Sequence, residues 1–389
     1  MKSLLALFAA VLLLTACHSH HDDDSMPART VLVYMAADND LSSYFTQDIN
    51  EMMAGAKQLS KHDHLVLFVD KPGVLPYMME VRDGDTIRKK TWDKELKSSS
   101  AETLRMALQW TEENYPAESY GLVLWGHADG WTIDNEAASR ENRAYGYDYT
   151  NGAHWMNIPS MASILNKLPK LHFIFADCCC FQCVETDYEL RHAADYIIAS
   201  PAEIPGEGAP YHTVVPALFS RSSKFYEQIV DAYSANYKLP LSVVKTSMMD
   251  SLAQATRTIL GKNITPGDYP DVDSLIYYYS HTSFDMTDFM LRHAPADDYE
   301  EWKKVLDQTI VYKAWARLWR ANYIAYANNY RTDFLDFEAT EEREGCISMF
   351  VPQNPNSVYI RFRSIVTTQN QTISNMEWYE AAELRRLGW

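Results

Sequence analysis

Basic residues are scarce in this sequence. It has 35 Lys and Arg against 52 Asp and Glu, so the formal net charge is −17 over 389 residues. A surface with this balance repels phosphate backbones and attracts cationic molecules, because like charges repel and unlike charges attract. Nucleic acids are therefore not expected as partners, and cationic substrates are favoured.

Cysteines are also few, and their distribution argues against a disulfide scaffold. Four of the six, Cys178, Cys179, Cys180 and Cys183, lie within six residues, whereas a disulfide framework spreads its cysteines along the chain. No Gly-x-Ser-x-Gly pattern occurs, so a serine hydrolase has little support. No repeat of fixed period and no Gly/Ser/Pro linker divides the mature chain.

No apolar run is long enough to span a membrane at the N-terminus. The eleven residues Leu4–Leu14 follow Lys2 and suit the apolar core of a signal peptide. The run ends in Leu-Thr-Ala-Cys17, which resembles the lipobox of bacterial lipoproteins. We therefore expect residues 1–16 to be removed and Cys17 to carry lipid. An ordinary secretory signal with a chance cysteine is the alternative.

The segment after Cys17 is polar, and its composition indicates where in the cell the protein is expected. Residues 17–29 are expected to form a tether, and the sequence HSHHDDD at 18–24 is more typical of a solvated segment than of a metal site. An acidic run after a lipidated cysteine resembles surface-export signals of some diderm bacteria. The resemblance implies a protein anchored through its lipid in the bacterial cell envelope, and it allows a position on the surface of the outer membrane.

Short apolar runs alternate with helix-like segments in the first half of the chain. This alternation predicts an α/β fold whose largely parallel sheet is covered on both faces. Strands are predicted at 31–37, 64–70, 121–125, 171–176 and 195–200. Helices are predicted at 41–59, from a capping box at Ser99–Glu102 to about Asn114, at 159–167 and at 184–193, with a hairpin at Asp83-Gly84.

The second half is more helical and more aromatic from about Val214 onward. Residues 297–329 have helical spacing, with many Trp and Tyr residues that are more typical of a core than of a ligand site. Residues 241–246 and 346–351 have the composition of strands. No sharp domain boundary is evident.

Two of the predicted strands lead into a reactive residue. The run 121–125 is followed by His127, and the run 171–176 is followed by Asp177 and Cys179. Neighbouring parallel strands end at the same sheet edge, so His127 and a cysteine should lie side by side there. An imidazole favours the reactive thiolate and can protonate a leaving amine. This pattern predicts a cysteine nucleophile with an acid–base partner.

A block ending in His and a block ending in Asp-x-Cys resemble the caspase-like cysteine peptidases, and among them most closely the clostripain family. The likeness covers most of the mature chain. It implies a caspase-like α/β/α sandwich with a mostly parallel central sheet, a catalytic core over 30–215, and a helix-rich elaboration over 216–389. The matching stretches are 33–41 (VYMAADNDL), Trp131, 185–200, 204–211 and 345–352.

The resemblance also implies a role for individual residues. Cys179 would be the nucleophile of peptide hydrolysis through a thioester, His127 the acid and base, and Asp177 the carboxylate that selects Arg or Lys before the scissile bond. The backbone N–H groups of Cys179 and Ala128 would hold the oxyanion. The family's His-Gly pair is His127-Ala128 here, which leaves the geometry of that turn open.

The cysteine cluster leaves open which of its cysteines aligns with the nucleophile of the family. The family's Asp-Ala-Cys is here Asp177-Cys178-Cys179-Cys180, so a shift by one residue would make Cys178 or Cys180 the nucleophile. The four apolar residues before Asp177 favour Cys179, and in an extended register Cys178 would point to the opposite side.

Two other interpretations remain. Cys178, Cys180 and Cys183 could form a metal or redox site, since Cys180 and Cys183 have Cys-x2-Cys spacing, although a second such pair is lacking. The chain could also be a non-catalytic, surface-anchored binding protein that keeps the fold.

The resemblance further implies a zymogen that cuts itself at a basic residue. Segment 132–152 between the two motifs is polar and turn-rich, and it contains Arg140 and Arg143, so we predict a cut after one of them. A solvated loop is the alternative. The family likeness also allows calcium, although no EF-hand run is present and the sequence requires no cofactor.

Overall fold

A computed structural model describes residues 29–133, 144–152, 154–278, 283–316 and 339–389. The expected lipidation site Cys17 and the processing candidates Arg140 and Arg143 lie outside these residues. Within the described ranges, no helix combines the length and apolar character needed to cross a bilayer.

The strands form one large sheet and two small two-stranded sheets. In chain order they are β1 (Arg29–Ala36), β2 (His64–Lys71), β3 (Val74–Arg82), β4 (Asp85–Thr91), β5 (Ser119–Trp125), β6 (Tyr145–Asp148), β7 (His154–Met156), β8 (Leu171–Asp177), β9 (Ala194–Ala199), β10 (Leu241–Lys245), β11 (Phe284–Asp285), β12 (Ile310–Ala314) and β13 (Ser348–Met349).

The large sheet has nine strands in the order β12-β10-β9-β8-β5-β1-β2-β3-β4. The five middle strands, β9 to β2 in this order, run parallel, and the two strands at each edge are antiparallel to their neighbours. Parallel strands need crossover connections, which place helices over the faces of the sheet. The predicted α/β fold with a mostly parallel central sheet is confirmed.

Helices cover both faces of the large sheet. Alternate residues of each central strand therefore lie in two different apolar cores, one on each face. In β1, Leu32 and Tyr34 lie in one core, and Val31 and Val33 lie in the other. Burial on both sides explains why the strands appear in the sequence as continuous apolar runs.

The helices, in chain order, are α1 (Phe45–Ala56), α2 (Ala101–Asn114), α3 (Ile158–Leu165), α4 (Val184–Glu189), α5 (Tyr211–Leu218), α6 (Phe225–Asn236), α7 (Met249–Asn263), α8 (Met286–His293), α9 (Ala296–Thr309), α10 (Arg363–Thr372), α11 (Glu377–Ala381) and α12 (Leu384–Leu387).

Differences from the predicted elements lie mainly at their ends. The capping box at Ser99–Glu102 is wrong, because α2 begins after Ser100, whose side chain makes no capping hydrogen bond. The helix predicted over 184–193 ends at Glu189, since the chain must turn into β9 at Ala194. The segment 132–152 is not entirely a loop, because β6 lies within it and pairs with β7.

The C-terminal half differs most from its prediction. The helix predicted over 297–329 ends at Thr309, and the β-branched and aromatic residues that follow form the edge strand β12. Residues 317–329 of that prediction lie outside the described ranges. The strand predicted over 346–351 is reduced to Ser348–Met349. Strands β10 and β12 extend the same large sheet, and the boundary at residue 215 stays a prediction.

Candidate active site

The carboxyl ends of β5 and β8 bring the two predicted reactive residues together. The parallel register pairs Trp125 with Asp177, and His127 and Cys179 each follow two residues later. Both residues line one cavity of about 230 Å³ at this sheet edge. The juxtaposition follows from the fold, since neighbouring parallel strands end at the same side of a sheet.

The cysteine cluster presents one partly exposed thiol. Of the five cysteines in the described residues, Cys179 is partly exposed, and Cys178, Cys180, Cys183 and Cys346 are buried. Cys178 lies in the core on one face of the sheet, whereas Cys179 packs against the core on the other face. This alternation is what an extended backbone requires. Cys180 also lines the cavity, but it is buried.

The surroundings of Cys179 oppose a thiolate. Burial raises the pKa of its thiol to about 12, and the carboxylates of Glu203 and Asp129 add to this increase. The sulfur accepts a hydrogen bond from the Ile204 N–H at 3.4 Å and lies 3.9 Å from the Ile204 carbonyl oxygen. The thiol is therefore neutral until a base or a cation changes its surroundings.

His127 lies in the loop after β5 and contacts a carboxylate. Its Nε2 is 2.8 Å from Oδ1 of Asp40. Asp40 begins the short 3₁₀ helix Asp40–Ser43, which directly follows β1 and is capped by the side chain of Asn39. Sequence reasoning gave Asp40 no role. Its position beyond β1, the strand next to β5, is the signal that could have identified it.

The turn after β5 accommodates alanine. Its positive φ angles occur at Gly126 (154°) and Gly130 (64°), and Ala128 is not among the residues with positive φ. A Cβ atom on Gly130 would lie 2.9 Å from the carbonyl oxygen of Cys180, so this glycine is required sterically. The flanking glycines take the positive φ angles of this turn, so alanine at 128 needs no left-handed backbone.

Ala128 itself lines the cavity and forms an isolated antiparallel bridge with Tyr145. The bridge uses the carbonyl of His127 and the N–H of Asp129, and it leaves the Ala128 N–H out of its two hydrogen bonds. Pairing with β6 therefore holds the backbone of the loop that carries His127, and it does not use the N–H of Ala128 at the cavity.

Asp177 is buried at the end of β8. Its Oδ2 accepts hydrogen bonds from the Ala209 N–H at 3.0 Å and from the Tyr211 hydroxyl at 2.7 Å. Its Oδ1 is buried and has no hydrogen-bond partner in the part of the chain that the structure describes. Burial raises the pKa of Asp177 to about 6. Gly208 allows this close approach, because a Cβ there would lie 2.8 Å from Oδ2.

Other carboxyl groups make this end of the cavity acidic. Burial, followed by the charge of Asp177, raises the pKa of Asp48 to about 8, and the Trp125 indole N–H donates to Asp48 at 2.6 Å. Asp129 and Glu203 line the same cavity. A buried carboxyl with an unpaired oxygen is stabilised by a proton or by a cation. The site can therefore gain free energy from a positively charged side chain.

The metal interpretations find no ligand set in the described residues. No group of three or more His, Cys, Asp or Glu side chains there is arranged to hold an ion. The Cys183 thiol donates instead to the Thr186 hydroxyl at 3.1 Å. Neither the Cys-x2-Cys pair nor the calcium allowed by family likeness corresponds to a group of three or more such ligands among these residues.

Known proteins share this architecture. The family model described as the clostripain family matches residues 33–384. Clostripain of Hathewaya histolytica is 23% identical over an alignment of 218 positions, which covers 48% of this chain and 41% of that protein, so the match spans less than half of this relative.

Two solved structures match almost the whole described fold. A secreted C11 cysteine protease from Bacteroides thetaiotaomicron, in complex with an irreversible peptide inhibitor, is 29% identical, with 92% of this chain and 99% of that chain covered and a TM-score of 0.74. An inactive zymogen C11 protease from Parabacteroides distasonis is 28% identical, with the same coverage of 92% and 99% and a TM-score of 0.75.

Proposed function

This chain belongs to the clostripain family of cysteine peptidases, and we propose that it is an endopeptidase that cleaves after Arg or Lys with Cys179 as nucleophile. The family inferred from sequence is thereby confirmed. One observation supports the proposed specificity and site together: Cys179 and His127 line the same cavity as Asp177, a buried carboxyl with an unpaired oxygen.

The proposed reaction proceeds through a thioester. The Cys179 thiol gives its proton to His127, and the sulfur attacks the carbonyl carbon of the peptide. The C–N bond breaks as His127 passes that proton to the leaving amine. Water then attacks the thioester, His127 takes a proton from it, and the thiol is regenerated. The N–H groups of Cys179 and Ala128 are the proposed donors to the oxyanion.

The proposed substrate would also activate the nucleophile. Glu203 and Asp129 raise the pKa of Cys179 because a thiolate beside them is a third negative charge. An Arg or Lys side chain bound at Asp177 would offset part of this repulsion, which favours the thiolate. The inhibitor in the Bacteroides thetaiotaomicron relative is described as a peptide, which is consistent with a peptide substrate here.

The test uses reporter peptides with Arg, Lys or the neutral residue norleucine before the scissile bond. We expect hydrolysis of the first two and little of the third. Cys179→Ala and His127→Ala should each lower kcat at least ~1000-fold, as removal of a nucleophile or its base does. Cys178→Ala should retain activity within a few-fold, because Cys178 packs in the core. Full activity in Cys179→Ala would show that the site assignment is wrong.

Self-processing after Arg140 or Arg143 is a further part of the proposal. The relative from Parabacteroides distasonis is described as an inactive zymogen, which supports an activation step in this family. Denaturing gels should show two chains for the wild type and one chain for Cys179→Ala and for Arg140→Ala with Arg143→Ala. A wild-type protein that is active as a single intact chain would contradict processing.

Lipid anchoring at Cys17 is proposed from the lipobox-like sequence. The Bacteroides thetaiotaomicron relative is described as secreted, which agrees with export but says nothing of a lipid. Cys17→Ser should move the protein from the membrane fraction to the soluble extracytoplasmic fraction. Recovery of wild type and variant in the same fraction would argue against the anchor.

A further inference from the structure

The Asp40 carboxylate contacts the imidazole of His127 at the mouth of the site, with 2.8 Å between Oδ1 and Nε2. We propose that Asp40 is a positioning residue that holds the His127 ring with its proton on Nε2, so that Nδ1 is left to exchange a proton with Cys179. The inference rests on the proposed function, since it assigns a role within that reaction.

The chemistry of the contact determines the tautomer. An ionised carboxylate can only accept hydrogen bonds, so Nε2 must carry the hydrogen that lies between it and Asp40. A neutral imidazole has one N–H, and Nδ1 is then the unprotonated nitrogen. When Nδ1 takes the proton of Cys179, the positive charge of the ring lies beside the negative charge of Asp40. The same contact therefore orients the base.

Asp40 is held in place by the sheet. The side chain of the preceding Asn39 donates to the carbonyls of Ala36 at 2.9 Å and Tyr147 at 2.7 Å, and it accepts from the Leu41 N–H at 3.0 Å. These bonds tie the start of the 3₁₀ helix to the end of β1 and to β6. Because β1 is the neighbour of β5, the carboxylate of Asp40 lies beside the loop that carries His127.

A second contact limits the other motions of the ring. Trp155 on β7 lies edge-to-face with His127, with 6.3 Å between ring centroids. Rotation of the imidazole away from Asp40 would disturb this packing. The ring is therefore bounded by an acceptor at Nε2 and by an aromatic neighbour, and both contacts restrict its rotation.

The exposure of Asp40 determines how much kcat should fall when its side chain is removed. Its side chain is 68% exposed, so water screens its charge, and the gain comes mainly from orientation. Loss of the group that orients a metal-ligating histidine through its second nitrogen typically costs about 10–100-fold, and we expect an effect at the lower end of that range for His127. We expect Asp40→Ala to lower kcat by about tenfold and to change KM less than twofold, because Asp40 acts through His127 rather than on the bound peptide.

The experiment combines kinetics with a readout that needs no activity. Asp40→Ala, Asp40→Glu and the wild type are assayed with an Arg reporter, and the ring nitrogens of His127 are observed by ¹⁵N NMR after assignment with His127→Ala. We expect the neutral ring to carry its proton on Nε2 in the wild type and in Asp40→Glu, and to be a mixture of tautomers in Asp40→Ala. Asp40→Glu should restore most of the lost kcat.

Asp195→Ala is the matched control. Asp195 is also an exposed aspartate beside a histidine, 3.7 Å from Nδ1 of His172, but it lies at the start of β9, away from the cavity. It should leave kcat unchanged. An Asp40→Ala protein with the wild-type kcat, or with the wild-type tautomer, would overturn the inference. A wild type that cleaves no reporter would instead refute the proposed function, while the NMR result would still decide the tautomer.

Discussion

At the scale of single residues, the charge of Asp177 links pH to the proposed specificity. Its pKa of about 6 is raised mainly by burial, so the carboxyl is ionised at pH 7.5 and largely neutral at pH 5. Only the ionised form attracts a cation strongly. Binding of an Arg or Lys side chain should therefore weaken as pH falls through about 6.

This dependence can be measured apart from catalysis. We expect the Kd of an Arg-containing peptide for Cys179→Ala, measured by calorimetry, to rise by up to ~10-fold per pH unit below about pH 6. The use of Cys179→Ala removes the thiol and prevents turnover.

Asp177→Asn provides the comparison for this measurement. Because an amide does not ionise, this variant should bind the peptide weakly and with little dependence on pH. A Kd for the Asp177 form that stays constant from pH 5 to 8 would contradict the assignment of this carboxyl to the cationic side chain.

At the scale of elements, the β6–β7 hairpin supports the His127 loop. The Tyr145 hydroxyl on β6 lies within hydrogen-bond distance of the carbonyl oxygens of Tyr34 (3.1 Å) and Trp125 (3.2 Å) at the ends of β1 and β5. On β7, Trp155 lines the cavity and packs against Tyr147, with 4.8 Å between ring centroids. The hairpin therefore holds the backbone of the site and supplies an apolar wall beside His127.

Removal of this wall should weaken peptide binding. We expect Trp155→Ala to raise KM for an Arg reporter with an apolar neighbouring residue about 3–10-fold, because an aromatic side chain supplies a large contact area. The change in kcat should stay within about threefold while Asp40 still holds His127.

Trp315→Ala is the control for this change. Trp315 is a partly exposed tryptophan outside the cavity lining, so its loss should leave KM unaltered. Equal KM values for Trp155→Ala and the wild type would show that the hairpin does not contact the substrate.

At the scale of the whole molecule, several buried carboxyl groups have raised pKa values. Burial raises the pKa of Asp48, Asp70 and Glu344 to about 8, and that of Glu185 to about 7. In the unfolded chain these groups ionise near pH 4. Between about pH 4 and 8 the folded state therefore binds more protons than the unfolded state, and the free energy of unfolding falls as pH rises.

We accordingly expect the chain to be more stable at pH 5.5 than at pH 8. Urea unfolding of Cys179→Ala, which avoids self-digestion, should give a higher midpoint at the lower pH. Asp70→Asn should reduce the difference, because Asp70 is fully buried and burial raises its pKa to about 8, whereas an amide does not ionise. A midpoint that increases from pH 5.5 to 8 would contradict this account.

Much of the site framework could be predicted because it depends on local pattern. The apolar runs before His127 and Asp177 identify buried strands, and the rule for parallel strands brings their ends together. The role of Asp40 could not be predicted in this way. Asp40 follows the carboxyl end of β1, but the sequence does not give the strand order that places β1 beside β5, and Asp40 and His127 are 87 positions apart.

The sequence by itself determined the fold class, because short apolar runs that alternate with amphipathic segments have few ways to bury their surface. It determined the family through the resemblance of the blocks that end in His127 and in Asp177-x-Cys179. Only the tertiary structure decided which cysteine of the cluster is partly exposed, which carboxylate contacts His127, and which oxygen of Asp177 is left unpaired. These features depend on the packing of distant segments at one sheet edge, where differences of a few ångströms decide the hydrogen bonds.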